Sequence, residues 1–168
     1  VVFLSKVATV KLSTTTDGVK VSWSKVTGAE NYVIYRRLEN GTWVTVATVS
    51  GSKTSYKDKK AESGKTYLYT VRALTDGWRS AYQNYKIYFI AAPQITKFDS
   101  QIGKGITIKW ADVHGAEKYY IYRKNGSSDW KKIGTTTNLL FLDKNVKFGT
   151  TYVYTLRAVS KDGVLSTY

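Results

Sequence analysis

The chain contains no cysteine, which excludes disulfides, thiolate metal sites and a cysteine nucleophile within it. Secreted bacterial repeat domains commonly dispense with cysteine, whereas small extracellular animal domains more often carry disulfides, so the absence points towards a bacterial exterior. Histidine and proline occur once each, as His114 and Pro93. No window approaches the roughly 18 consecutive apolar residues of a membrane helix, and no N-terminal stretch has the order of a signal peptide. Membrane insertion is therefore not expected, and any export signal or anchor is expected outside these residues. Acidic residues are scarce: 12 Asp and Glu face 26 Lys and Arg, for a formal charge of +14. That excess is spread along the chain, which favours solubility and draws polyanions without naming one.

What the chain does have, it has twice. Val19-Lys20-Val21-Ser22-Trp23 followed by Gly28-Ala29-Glu30-Asn31-Tyr32-Val33-Ile34-Tyr35-Arg36 returns as Ile106-Thr107-Ile108-Lys109-Trp110 followed by Gly115-Ala116-Glu117-Lys118-Tyr119-Tyr120-Ile121-Tyr122-Arg123. Gly64-Lys65-Thr66-Tyr67-Leu68-Tyr69-Thr70-Val71-Arg72-Ala73 returns as Gly149-Thr150-Thr151-Tyr152-Val153-Tyr154-Thr155-Leu156-Arg157-Ala158. The spacing stays at about 86 residues throughout, the mark of a tandem array. Two domains follow, residues 1–91 and 92–168. Phe3-Leu4 echoes Phe89-Ile90, so residues 1–4 resemble the tail of a preceding repeat, and the last strand of the second copy reads as truncated. Both features lead us to expect an excerpt from a longer protein.

Period-two alternation dominates. Val19, Val21 and Trp23 point one way and Lys20, Ser22 and Ser24 the other; Tyr67, Tyr69, Val71 and Ala73 alternate with Leu68, Thr70 and Arg72. No stretch keeps a helical period. Asp17-Gly18, Thr27-Gly28, Asn40-Gly41, Ser63-Gly64 and Asp76-Gly77 interrupt the chain about every 8–12 residues, which predicts all-β sandwiches of about seven short antiparallel strands each. The predicted strands are 7–13, 19–24, 31–37, 43–48, 54–57, 66–73 and 80–88, then 94–99, 105–110, 118–124, 130–134, 139–142, 151–158 and 165–168. Pro93 opens the second copy, where a missing N–H is tolerable.

Each copy resembles a fibronectin type III domain. The resemblance rests on Trp23 and Trp110 in the second strand, Tyr32 to Arg36 and Tyr119 to Arg123 in the third, and Tyr67 and Tyr152 at the approach to the sixth. In that family the last pair form the tyrosine corner, whose hydroxyl bonds upstream backbone. The resemblance implies two tandem immunoglobulin-like β-sandwiches, with Trp23, Trp110, Tyr67 and Tyr152 as structural residues. The particular wording is similar to repeats of secreted and surface proteins in Gram-positive gut bacteria. Such repeats serve as spacers in adhesins, as accessory modules beside carbohydrate-active enzymes, or as binders of host proteins, immunoglobulins included.

Catalysis is not expected. His114 stands in a predicted turn at the place of Thr27, so a histidine-based triad or metal site would have a single imidazole. Asp58, Asp143, Asp76, Asp162, Glu30 and Glu117 all fall at turns, where side-chain to backbone bonds explain them. No cofactor is implied. Trp43 and Trp130 correspond between copies, which favours packing on the fourth strand over a ligand platform. Trp78 is different, because Gly77-Trp78-Arg79 becomes Gly163-Val164-Leu165 in the second copy. Trp and Arg are frequent interface hot spots, and related folds place binding loops at that end. The protein-binding candidates are therefore Trp78 and Arg79, with Tyr35 and Tyr122 on exposed strand faces. The tyrosines at 82, 85 and 88 are explained by last-strand packing. Lys57, Lys59, Lys60, Lys131 and Lys132 form basic loops that would suit an anionic glycan or wall polymer; no nucleic-acid module is present. The expectation is a monomeric, non-enzymatic, extracellular module, secreted or on the cell surface, that binds a host protein such as immunoglobulin. The alternatives are a passive spacer or accessory module in a carbohydrate-active enzyme, or direct glycan or polyanion binding.

Overall fold

The computed structural model describes residues 4–168, so the echo at Phe3 lies outside the described residues. The chain divides into two compact units, Val1–Phe89 and Ile90–Tyr168, each a pair of antiparallel sheets. Unit 1 contains β1 (Lys11–Thr15), β2 (Gly18–Ser22), β3 (Asn31–Leu38), β4 (Val44–Ser50), β5 (Ser55–Asp58), β6 (Lys65–Thr75), β7 (Trp78–Arg79) and β8 (Tyr85–Phe89). One sheet has the order β1-β2-β5. The other has the order β4-β3-β6-β7, with β8 also on β6. Unit 2 contains β9 (Ile95–Gln101), β10 (Gly105–Trp110), β11 (Lys118–Asn125), β12 (Lys131–Thr136), β13 (Leu140–Asp143) and β14 (Tyr152–Val159), in sheets β13-β10-β9 and β12-β11-β14.

The alternating residues form the core. Val19, Val21, Tyr32, Ile34, Tyr69, Val71 and Phe89 are buried between the sheets of unit 1, and Ile108, Tyr119, Ile121, Leu156 and Ala158 repeat the pattern in unit 2. Trp23 and Trp110 are 5% and 3% exposed. Their rings lie 5.3 and 5.4 Å from Tyr32 and Tyr119. Burying side chains of this size stabilises each unit by roughly 1.5–3 kcal/mol apiece. The two phenols accept backbone N–H bonds, from Val26 to Tyr32 at 2.7 Å and from Val113 to Tyr119 at 3.0 Å, so their polar ends are satisfied inside the core.

The strands depart from the sequence expectation in three places. The first begins at Lys11, not residue 7, because Thr9 has φ 53° and turns the chain out of extended geometry. The expected strand 80–88 is extended only from Tyr85 onward, as β8, and the short β7 precedes its expected start. Between them Ser80 bonds across with both backbone and side chain: its N–H donates to the Ala73 carbonyl at 2.9 Å and its Oγ accepts from the Ala73 N–H at 3.0 Å. The expected strand 165–168 is reduced to an isolated bridge from Leu165 to Val159. Ser166 repeats the Ser80 arrangement, accepting from the Ala158 N–H at 2.9 Å.

A register shift also recurs. Between Ile34 and Tyr35 the partner on β4 jumps from Ala47 to Thr45, and between Ile121 and Tyr122 the partner on β12 jumps from Gly134 to Lys132. The unmatched Val46 and Ile133 are β-bulges. They re-aim the start of each fourth strand, and with it Trp43 and Trp130, over the outer face of the sheet.

Candidate functional site

The inner face of each unit carries a buried ionic network that holds the sheet bearing the site. Asp58 on β5 accepts from Arg36 Nη1 on β3 at 2.7 Å, from Tyr69 Oη on β6 at 2.8 Å and from the Lys60 N–H at 3.0 Å. Asp143 does the same with Arg123 at 2.6 Å, Tyr154 at 2.9 Å and the Asn145 N–H at 3.0 Å. Both carboxylates therefore tie one sheet to the other, in addition to the turn role expected from sequence. Burial, reinforced by the neighbouring Asp58 charge, pushes the Tyr69 hydroxyl well above its usual range; burial and the hydrogen bond to Asp143 do the same for Tyr154. Arg36 lies over the Tyr67 ring at 5.1 Å, and Arg123 over Tyr152 at 4.7 Å. The hydroxyls of Tyr67 and Tyr152 in turn accept from the N–H groups of Glu62 at 2.8 Å and Lys147 at 3.0 Å, which pins each loop before the long strand.

With Arg36 and Tyr69 turned inward, Tyr35, Thr70 and Arg72 face outward. Tyr35 and Thr70 are direct cross-strand partners. Together with Trp43, Arg79 and Tyr82 they line a shallow depression of about 220 Å³ on the outer face of unit 1. Arg72 Nε donates to the Ser80 carbonyl at 2.8 Å, and its guanidinium lies 5.4 Å from the Tyr82 ring centre. Trp43 is braced by Arg37 at 5.2 Å and is still 36% exposed. Thr70 is buried, and its Oγ1 has no hydrogen-bond partner among the described residues. Among the described residues the ion pairs of unit 1 engage Arg36, Lys57, Lys59, Lys65 and Lys86, and Arg72 and Arg79 have no carboxylate partner.

Trp78 precedes Arg79 on the two-residue strand β7, where it pairs with Thr75, and is 71% exposed. It does not fold down onto its own unit. Tyr35 departs from expectation in being half-buried, since it forms a wall of the depression and does not stand free. Trp43 and Trp130 also differ from the packing role expected of them. Each lies just before its strand, exposed and covered on one side by a cation, Arg37 in one copy and Lys124 at 5.1 Å in the other.

Unit 2 has the same face in another state. Tyr168, at the place of Tyr82, stacks on Trp130 with ring centres 6.5 Å apart and an interplanar angle of 16°. It meets Tyr122 edge-on at 5.5 Å, and Arg157 lies over it at 4.9 Å. Tyr122, expected on an exposed face, is half-buried because Tyr168 packs against it. Burial raises the pKa of the Tyr122 phenol. Lys132 sits over the Tyr120 ring at 3.3 Å.

The basic loops are less free than their sequence suggests. Lys57 pairs closely with Asp17, whose carboxylate it holds below the ordinary range by hydrogen bonding, and Lys59 lies 4.0 Å from the same group. Lys60 and Lys131 are exposed. Among the described residues no three His, Cys, Asp or Glu side chains converge on a metal position, and no helix is long and apolar enough to cross a membrane.

Sequence reasoning found Tyr35, Trp78 and Arg79 as candidates but missed Thr70, Arg72 and Tyr82 as their neighbours. The signal was present in the alternation of β6, which sets Thr70 and Arg72 on the face opposite the core-forming Tyr69 and Val71.

No family model matches the chain. Among solved structures, a two-domain fibronectin type III segment of chicken tenascin aligns over 98% of this chain and 94% of its own, with a TM-score of 0.52 and 15% identity. The FN1–FN3 domains of chicken CNTN1 align over 99% and 69%, at a TM-score of 0.46 and 14% identity. A structure described as an FN3tt mutant aligns over 52% and 97%, at 0.46 and 16%. The tenascin alignment spans nearly the whole of both chains, and with the repeated sheets and the tyrosine hydroxyl bonds it gives the architecture: two tandem β-sandwiches of the fibronectin type III, immunoglobulin-like fold.

Proposed function

We propose that the chain is a non-catalytic binding module of an extracellular bacterial surface or secreted repeat protein, and that it contacts a host protein, immunoglobulin among the candidates, through the outer face of unit 1. One observation carries this reading. The tryptophan that the repeat does not require, Trp78, is 71% exposed and adjoins in sequence Arg79, which lines a depression walled by Tyr35, Trp43 and Tyr82 and has no carboxylate partner among the described residues. Exposed Trp, Tyr and Arg on a rigid sheet are the residue types that dominate protein interfaces, and their ordering cost is small because the sheet already holds them. A specific contact needs about 800 Å² on this side, which a sheet face with its adjoining loops can supply.

The test is retention of purified immunoglobulin, and of proteins from serum and host secretions, on immobilised chain at low and high salt. Exposed charge pairs weaken with salt and a packed aromatic contact does not. A single protein retained at high salt by the parent and released by Trp78→Ala, with unchanged unfolding, supports the reading. Salt-labile mixtures indifferent to Trp78→Ala refute it and leave a basic spacer.

A further inference from the structure

We propose that the depression of unit 1 is a site for a carboxylated sugar residue, of the uronic or sialic acid type, carried on an acidic glycan. The inference takes its choice of face from the reading above and adds a ligand to it. Three observations converge. The depression, about 220 Å³, is smaller than the roughly 300–1,000 Å³ that encloses a drug-sized ligand, and suits a single ring lying on the surface. Its walls are aromatic: Tyr35, Trp43 and Tyr82. Aromatic faces carry negative charge density and attract the slightly positive C–H groups of a sugar ring while leaving its hydroxyls to water. Its charge is wholly positive: Arg72 and Arg79 line it and no Asp or Glu does.

The cations are also in a usable state. The bond from Arg72 Nε to the Ser80 carbonyl fixes the guanidinium plane and leaves its terminal nitrogens to a ligand. A held guanidinium presents paired donors that match a carboxylate in a bidentate fashion, which a lysine cannot do. Arg79, exposed on β7 beside β6, lines the same depression. Arg72 is already held by a carbonyl and a ring, as Arg157 is in unit 2, whereas Arg79 on the same aromatic rim meets no acid among the described residues, so the pair together marks a place for an external anion.

Unit 2 supplies an internal control. There Tyr168 occupies the equivalent ground, stacked on Trp130 and edge-on to Tyr122, and Leu165 replaces Arg79. The second copy therefore lacks both the space and one of the charges.

The experiment is saturation-transfer NMR with titration on the whole chain, using sialyllactose and glucuronic acid against the neutral lactose and glucose, and a hexaglutamate peptide as the acidic non-sugar. We expect saturable transfer to the acid sugars, at least about tenfold weaker binding of the neutral ones, and a similar loss in Arg79→Leu, the size expected for a lost charge-assisted bond. Trp43→Ala should abolish transfer to the sugar C–H protons, whereas Trp130→Ala in unit 2 should leave it unchanged. Equal binding of acidic and neutral sugars, no transfer to either acid sugar, or preference for hexaglutamate overturns the proposal. Its failure is separable from that of the protein contact: immunoglobulin or serum protein retained through Trp78 with no acid sugar bound removes this site alone, and acid sugar bound with no protein retained removes the protein contact alone.

Discussion

The Asp58 network sets a measurable test of how the sheets are held. Its carboxylate, 1% exposed as a residue, is the acceptor for a guanidinium, a fully buried phenol and a backbone amide. Asp58→Ala takes the shared carboxylate acceptor from all three. Removing one side of a buried ion pair costs about 3–5 kcal/mol, mostly the penalty of the stranded charge. Tyr69→Phe takes away one bond to the same carboxylate and leaves the ion pair whole, so it should cost less, about 1.5–3 kcal/mol. The second copy sharpens the argument. Arg123 Nη1 has a further acceptor, the Asn145 carbonyl at 2.7 Å, so Asp143→Ala does not strand its guanidinium completely. We therefore expect Asp143→Ala to cost about 1 kcal/mol less than Asp58→Ala. Urea titration followed by tryptophan fluorescence reads these values without the ionic screening that guanidinium would add. A cost below about 1 kcal/mol for Asp58→Ala, or a larger cost for Asp143→Ala, would falsify the reasoning.

Four further outcomes follow from single contacts. The Tyr69 hydroxyl is raised above its ordinary pKa of 10.0 in the folded chain, so its contribution to stability is whole below pH 10 and is lost as pH climbs from there towards the folded value; urea midpoints between pH 9 and 11 should fall less steeply in Tyr69→Phe than in the parent. Gly105 has φ +117°, and a Cβ there would stand 2.2 Å from the Asp143 carbonyl oxygen, so Gly105→Ala should lose about 2–3 kcal/mol, visible as a lower Tm; an unchanged Tm refutes the close approach. Thr70→Val exchanges an unpartnered buried hydroxyl for a methyl and should raise stability by about 1 kcal/mol in the same urea assay, a loss showing that the hydroxyl is bonded after all. Trp78→Ala should change stability by less than about 0.5 kcal/mol, because the ring is 71% exposed, and a larger loss would mean that the ring packs on its own unit.

The architecture was legible because the residues that make it are patterned by the backbone itself. Period two over Val19–Trp23 and Tyr67–Ala73 separates inside from outside without knowledge of any partner strand. Repetition of Trp23, Tyr32 and Tyr67 as Trp110, Tyr119 and Tyr152 marked them as fold residues. What the sequence hid depends on three-dimensional adjacency. Asp58 looked like a turn residue, and it is one through Lys60; its bonds to Arg36 and Tyr69 come from other strands and show no local spacing. The strand ends were lost for the same reason, since the Thr9 dihedral and the Ser80 side-chain bonds have no periodic signature. Trp43 was read as packing because repetition usually means structure. Here repetition preserves a tryptophan on the outer face, held by Arg37 or Lys124, and the bulge that carries it there is invisible in composition.

Comparison of the two copies separates what the sandwich demands from what it leaves free. The inner set is retained almost without change, with Arg36, Asp58, Tyr69 and Ser80 answered by Arg123, Asp143, Tyr154 and Ser166 in the same bonding. The outer face keeps its aromatic positions, Tyr35, Trp43 and Tyr82 answered by Tyr122, Trp130 and Tyr168, yet differs in how they are used. In unit 2 the rings close on each other at 5.5 and 6.5 Å, and Val164 and Leu165 hold the positions that correspond to 78 and 79. In unit 1 Trp78 and Arg79 take those two places, and the rings wall an open depression. Self-packing of aromatic residues lowers the free energy of a surface that has no partner, whereas an open rim with unpaired arginines leaves that stabilisation to be supplied from outside. Replacing Trp78 and Arg79 together by Val and Leu should therefore convert the first face towards the second, with loss of ligand and no loss of fold. Retained sugar or protein binding in that double variant would place the functional difference between the copies somewhere other than these two residues.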